Sequence, residues 1–156
     1  MALVILGKTE CKICGQPVNK GDFYGFPPFV GNTLDPLIIF NDSVFHKECA
    51  KNNQLAQNAL KRYELIESLN TIPPRCSLTE ELITNPDDYL NLGFFTEDES
   101  HALHPYNCMV FHRKNFKTWE KNRWIISEIE KLDQSGQWGG DGLKRLLRQL
   151  KNVVDS

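Results

Sequence analysis

The sequence predicts an α+β fold built from two related units in tandem, followed by one further helix. Three observations carry this. Short β-branched and aromatic runs, punctuated by glycine and proline, give way to helical periodicity twice along the chain. A ten-residue segment ending in Phe-His occurs twice, each time just before a helical stretch. A last stretch after a glycine-rich break carries a leucine stripe at helical spacing. The expected divisions are residues 1–72, 73–134 and 135–156.

In the first division, Met1-Ala2-Leu3-Val4-Ile5-Leu6 reads as an opening strand. It is too short for the apolar core of a signal peptide and lacks a small-residue cleavage site. Residues 3–45 continue as strands and loops, broken by Gly15, Gly21, Gly25, Pro27, Pro28, Gly31 and Pro36. Leu37-Ile38-Ile39-Phe40 and Ser43-Val44-Phe45 flank Asn41-Asp42, the pattern of a hairpin. From His46 to Leu69, Ala56, Ala59, Leu60, Tyr63, Ile66 and Leu69 recur at three- and four-residue steps on one helical face. Asn70 and Pro73-Pro74 stop that helix.

Residues 75–111 return to strands and loops, and a second helix is expected over His112–Leu132, with Phe116, Trp119, Ile126 and Ile129 inward. Ser135 to Gly140 break it. The final helix sets Leu143, Leu146, Leu147, Leu150 and Val154 on one stripe and Lys144, Arg145, Arg148 and Lys151 on the other face. Packing of that stripe on its own core is the expected outcome, with docking on a partner the alternative.

A hydrophobic content of 40% over 156 residues, with mean hydropathy of −0.42, indicates a water-soluble globular chain. No run approaches the ~20 apolar residues that a membrane span needs, and a cytoplasmic location is expected. The net charge of −2 conceals a polarity: residues 76–111 hold seven acids and no Lys or Arg, whereas 112–151 hold ten Lys and Arg against five acids. Such polarity either orients a charged partner or is balanced within the molecule.

Five cysteines leave one over from any complete disulfide framework. In a reducing compartment a close cysteine pair is more often a metal site. Cys11-Lys12-Ile13-Cys14 supplies one such pair, and His46-Lys47-Glu48-Cys49 a second. In a Cys-x2-Cys knuckle two thiolates reach one ion, and Gly15 suits the backbone angles that such a turn needs. A His and a Cys three apart in the first turn of a helix point to nearly the same place. Four such ligands suit a single structural zinc ion with no open coordination position.

This order, knuckle, hairpin, then a helix carrying the second ligand pair, resembles the treble-clef zinc fingers, and the His-x2-Cys half is similar to LIM-type fingers. The resemblance covers residues 11–49 and the following helix. The 31 residues between the pairs exceed what is usual in LIM modules, so the likeness is to the fold group. It implies a rigid hairpin-and-helix surface for binding.

Leu37 to His46 aligns with Leu103 to His112, and five of the ten positions are identical. Upstream, Cys11 lies over Cys76 and Val18-Asn19-Lys20-Gly21-Asp22 over Ile83-Thr84-Asn85-Pro86-Asp87. The first Cys and the His are 35 apart in one copy and 36 in the other, so the sequence reads as an internal duplication. Thr79 replaces Cys14 and Asn115 replaces Cys49, leaving Cys76 and His112 as remnants of a second site. Cys108, His101 or His104 would have to complete it. The expectation is instead a metal-free unit held by Phe94, Phe95, Tyr106, Phe111, Phe116 and Trp119.

Some treble-clef proteins are nucleases, and His104, Asn107 and His112 invite comparison, but their spacing is too compressed. No phosphate-binding glycine loop or nucleophile elbow is present, so no enzyme is expected. The sequence favours a zinc-stabilised module that binds a protein partner, with Phe23, Tyr24, Phe26 and Pro27-Pro28-Phe29 as a candidate contact loop. The alternative is nucleic-acid binding through Arg113, Lys114, Lys117, Lys121 and Arg123 with Lys144, Arg145, Arg148 and Lys151. A pI of about 6.1 weighs against it.

Overall fold

The computed structural model describes residues 4–70 and 72–156, and the chain divides into two compact units, Met1–Ile66 and Glu67–Ser156. The secondary structure is mixed α and β, with two small antiparallel hairpins. Among the described residues no helix is long and apolar enough to cross a membrane.

Where an opening strand was expected, the described residues of the first unit start with a turn over 6–8. Met1–Leu3 lie outside the described residues. At Ile5 the backbone N–H donates to Thr9 Oγ1 and the carbonyl accepts from Lys8 and Thr9, while the Ile5 and Leu6 side chains are exposed. Thr9 thus takes the N–H that a strand would have offered to a neighbour. The knuckle follows, closed by a bridge between Glu10 and Pro17 and by donation from Gly15 N–H to the Cys11 carbonyl. Gly15 has φ of 72°, a left-handed angle that explains its place after Cys14.

The hairpin differs from the sequence expectation. Strand β1 (Phe23–Gly25) pairs with β2 (Val44–His46), Phe23 opposite His46. Leu37–Phe40 form no strand; Pro36–Phe40 are a 3-10 turn. Asp35 Oδ1 accepts from Leu37 N–H and Pro36 occupies the first turn, so local capping prevails over β-propensity. The turn buries Leu37 and Phe40, three apart, and exposes Ile39.

The Asn41 side chain fastens the two ends of the long 26–43 connection. Asn41 Oδ1 accepts from Phe29 and Val30 N–H at 3.0 Å each, and its Nδ2 donates to the Val30 carbonyl at 2.8 Å. Phe26 and Phe29 turn inward against Tyr63, with ring centroids 4.9 and 5.7 Å from it. The expected aromatic contact loop is therefore largely turned inward, with Tyr24 and Pro28 its exposed members.

The helix expected over His46–Leu69 is two: α1 (Lys47–Lys51) and α2 (Gln54–Leu69). Asn52 ends the first, and Asn53 Oδ1 accepts from Ala56 N–H to start the second. Ala56 and Ala59 are fully buried, while Leu69 is exposed.

The second unit has the same local construction 65 or 66 residues on. Arg75 bridges Leu82, Glu80 N–H donates to the Cys76 carbonyl, and Glu80 takes the left-handed angle that Gly15 takes earlier. Strand β3 (Tyr89–Asn91) pairs with β4 (Val110–His112), Tyr89 opposite His112. Asn107 repeats the side-chain bonds of Asn41, accepting from Phe95 and Thr96 N–H and donating to the Thr96 carbonyl. Asp42 and Cys108, the residues that follow, both have positive φ.

The second long helix is also divided, into α3 (Arg113–Thr118) and α4 (Asn122–Gln134). Asn122 Nδ2 donates to the Lys117 carbonyl at 2.7 Å across the break. The final helix α5 (Gly142–Asp155) packs on its own unit, burying Leu143, Leu147, Leu150 and Val153 among Leu90, Phe111, Phe116, Ile125 and Ile129. Phe95 is buried with them, Tyr106 and Trp119 are half-buried against the cluster, and Phe94 is half-buried.

Candidate metal centre

The knuckle delivers Cys11 and Cys14, the end of β2 delivers His46, and the first turn of α1 delivers Cys49. Their ligand atoms all lie within 4.8 Å of one another, the one such group of three or more His, Cys, Asp or Glu among the described residues. Cys14 Sγ is 3.4 Å and Cys49 Sγ 3.8 Å from His46 Nδ1. In a tetrahedron with Zn–S of ~2.3 Å and Zn–N of ~2.0–2.1 Å, the S···N edge is about 3.6 Å. The two distances straddle that value, so the residues fit a single metal ion.

The surroundings orient the ligands. His46 Nε2 lies 3.2 Å from the Pro17 carbonyl. A carbonyl only accepts, so Nε2 carries the proton and the Nδ1 lone pair faces the sulfurs, the arrangement common for metal-binding imidazoles. Lys12 N–H donates to the Val44 carbonyl at 2.8 Å and fastens the knuckle to β2. His46 N–H donates to Cys11 Sγ at 3.4 Å.

Burial works against ionising Cys11, but the N–H groups of Cys14, His46 and Ile13 and the Cys14 side chain outweigh it and hold the thiol at about 6. Burial, then the neighbouring Cys14 and Cys11 sulfurs, push Cys49 up to about 12. The hydrogen bond to Cys14 raises His46 against its desolvation. The Cys11 thiolate is thus favoured by the protein alone, whereas ionising Cys49 needs a cation among the sulfurs. A divalent metal would supply that charge, and its binding would release protons.

In the second unit the same places hold Cys76, Thr79, His112 and Asn115. The Asn115 amide Nδ2 donates to Thr79 Oγ1 at 3.1 Å and Cys76 Sγ at 3.3 Å, and lies 3.5 Å from Glu81 Oε2. A neutral amide joins Cys76 and Thr79, whose counterparts in the first unit, Cys11 and Cys14, belong to the cluster that could hold a metal ion. Burial opposes ionisation of Cys76, but Asn115 and the His112 and Leu78 N–H groups lower its pKa overall. Lys114 beside Glu81, 2.7 Å away, holds that carboxyl below its ordinary range. His112 Nδ1 accepts from Lys114 N–H, and its Nε2 is 3.8 Å from Asp88.

Cys108 is buried, which pushes its thiol up to about 11, and His101 Nδ1 accepts from Leu103 N–H. Neither joins His104 in a metal-holding group with Cys76 and His112. Asn107 spends both amide atoms on the loop.

The basic residues form two separate sets. Arg113, Lys114 and Lys117 gather around a cleft beside the last turn of α5. Lys144, Arg145 and Arg148 are exposed along α5, Arg148 one helical turn, about 6 Å, before Asn152. Lys121 Nζ lies 3.5 Å from Tyr106 Oη, Arg123 pairs with Asp155 at 3.8 Å, and Lys151 with Glu130 at 2.5 Å.

Sequence reasoning missed the Asn41 and Asn107 fasteners and the bridging role of Asn115. The first two were visible as an identity in the aligned segments. The third carried no signal beyond the loss of a cysteine. A scan of protein-family models finds no match to the chain, and neither the curated proteins nor the solved structures yield one.

Proposed function

We propose that the chain is a non-catalytic binding module made of two tandem treble-clef-like units. The first holds one structural zinc ion through Cys11, Cys14, His46 and Cys49, and the second has exchanged its metal for the Asn115 amide. The convergence of four ligand atoms within 4.8 Å carries this reading. Two recurrences support the duplication: the hairpin register and the asparagine fasteners. Three thiolates and an imidazole leave zinc no open position for substrate, which favours a structural ion. The five free cysteines fit a reducing, cytoplasmic setting.

The partner we favour is a protein. Leu34 and Ile39 stand exposed on the 26–43 connection, 61% and 48% accessible, and offer apolar contact area. Several cations of the second unit already meet carboxylates, as in Lys114–Glu81 and Lys151–Glu130. Nucleic-acid binding is the second reading, favoured by the exposed Lys144, Arg145 and Arg148.

Elemental analysis of the purified chain should give one zinc per molecule, lost in Cys14→Ser. Chelation should collapse amide protection over 4–66 and leave it around Ile125, Ile129 and Leu150, since such sites supply ~10–16 kcal/mol of apparent folding energy. Zinc-free protein with unchanged protection would refute the structural role. Nucleic-acid affinity that falls steeply with salt and with neutralisation of Lys144, Arg145 and Arg148 would replace the first partner reading by the second.

A further inference from the structure

The cysteines of the chain differ sharply in exposure. Cys11 is buried, Cys49 is half-buried and Cys14 is exposed. Cys76 and Cys108, in the second unit, are 0% and 5% accessible. One of the five free thiols therefore stands open to solvent. It also stands among other sulfurs, because the ligand atoms of Cys11, Cys14, His46 and Cys49 lie within 4.8 Å of one another. A single turn, closed by Gly15 N–H on the Cys11 carbonyl at 2.8 Å, carries Cys11 and Cys14 three residues apart. Cα atoms three apart in a turn lie within about 7 Å, which is the reach of a disulfide. A solvent-accessible cysteine poised beside a resolving cysteine is the arrangement of a reversibly oxidised thiol.

We propose that Cys14 is a modification site for hydrogen peroxide, and that its oxidation, resolved by Cys11, discharges the metal of the first unit. The loss of metal rests on the zinc reading above; the thiol chemistry does not. The Cys14 sulfur attacks one peroxide oxygen, the O–O bond breaks, and hydroxide leaves to become water with the thiol proton. Cys14 is then a sulfenic acid. The Cys11 sulfur attacks that of Cys14, an S–S bond forms, the S–O bond breaks, and a second water carries off the Cys11 proton. Two thiols have been oxidised to one disulfide, and one peroxide has been reduced to two waters. His46 and Cys49 are what remains of the quartet. A structural zinc takes four ligands, and two do not hold it. The second unit illustrates this, since Cys76 and His112 belong to no metal-holding group. Its buried thiols also keep peroxide out, so oxidation loosens the first unit and leaves the second folded.

The test measures the zinc content of the purified full chain and then treats it with hydrogen peroxide. Zinc release to a colorimetric chelator, disulfide position by peptide mass spectrometry and amide protection are followed together. The expected result is one zinc released for each Cys11–Cys14 bridge formed. Protection should fall over 4–66 and persist around Ile125, Ile129 and Leu150, and thiol reductant with added zinc should restore the starting state. Cys14→His keeps four ligands suited to zinc and should slow release about tenfold or more, since an imidazole replaces the exposed thiol. Cys49→His keeps the knuckle pair, and Cys76→Ser with Cys108→Ser removes the buried thiols; both should release zinc as the unaltered chain does. If Cys14→His takes up no zinc, Cys49→His decides, because it must still form the Cys11–Cys14 bridge. Zinc-loaded chain left unchanged by peroxide, release from Cys14→His at the unaltered rate, or a first bridge to Cys49, Cys76 or Cys108 would each overturn the proposal. A chain without zinc at the outset would overturn the metal reading instead, and the bridge mapped on it would still decide the chemistry of Cys14.

Discussion

Replacing Thr79 and Asn115 together by cysteine should give the second unit a metal site of its own. Thr79→Cys and Asn115→Cys put thiols at the positions that match Cys14 and Cys49. Cys76 already stands in the place of Cys11, and His112 supplies the fourth group. Asn115 now joins the site through bonds of 3.3 and 3.1 Å and a 3.5 Å contact to Glu81. At ~0.5–1.5 kcal/mol for each hydrogen bond, their loss should destabilise the metal-free double variant by about 2–4 kcal/mol. His112 must also release the Lys114 N–H that its Nδ1 accepts, for about 1 kcal/mol more. Metal offsets this by a wide margin, because structural zinc contributes ~10–16 kcal/mol of apparent folding energy. Elemental analysis should therefore rise from one zinc per chain to two. Cobalt substitution should roughly double the thiolate charge-transfer absorbance, and thermal unfolding of the variant should become strongly zinc-dependent. Asn115→Cys alone, lacking the fourth ligand, should bind the second ion weakly. A double variant that folds, keeps one ion and shows no added cobalt–thiolate absorbance would refute the equivalence of the two units.

Three other predictions rest on single side chains. Asn41→Ala and Asn107→Ala each remove three hydrogen bonds to an enclosed loop, and each should cost about 2–4 kcal/mol in denaturant titrations. Cys108, its thiol raised to about 11 by burial, should be about 0.1% thiolate at pH 8, against roughly a quarter for an unperturbed cysteine. Its alkylation, followed by mass spectrometry, should accelerate as pH climbs toward 11 or when the unit is unfolded. Leu150→Ala empties a fully buried position between helices of the second unit and should cost about 2–5 kcal/mol, whereas Arg148→Ala beside it should change stability by less than about 0.5 kcal/mol.

Much of the candidate site was legible because its geometry is local. A Cys-x2-Cys turn and a His-x2-Cys helical start each set two ligands within a few residues, so spacing alone carries their convergence. Most of the leucine stripe of α5 was legible for the same reason, since Leu143, Leu147 and Leu150 are buried as periodicity demands, but Val153 is buried in place of Val154, and Leu146 and Val154 lie half-buried at the edge. The errors fell where one local signal competed with another. Leu37–Phe40 have strand-like side chains, but the Asp35 cap and Pro36 turned them into a 3-10 segment. Periodicity ran unbroken across Asn52-Asn53 and Trp119–Lys121, yet backbone capping divided both helices there.

By itself, then, the sequence determined the mixture of α and β structure, the candidate quartet of Cys11, Cys14, His46 and Cys49, and the correspondence between Leu37–His46 and Leu103–His112, all features written in short-range spacing or direct identity. Tertiary structure alone decided which strand pairs with β2, that Asn115 bridges Cys76 and Thr79, and that Arg113 and Lys117 meet Asn152 around one cleft. These pairings join groups tens of residues apart. Their partners are selected by burial, hydrogen-bond satisfaction and charge once the chain has closed on itself, and no spacing rule along the chain records that choice.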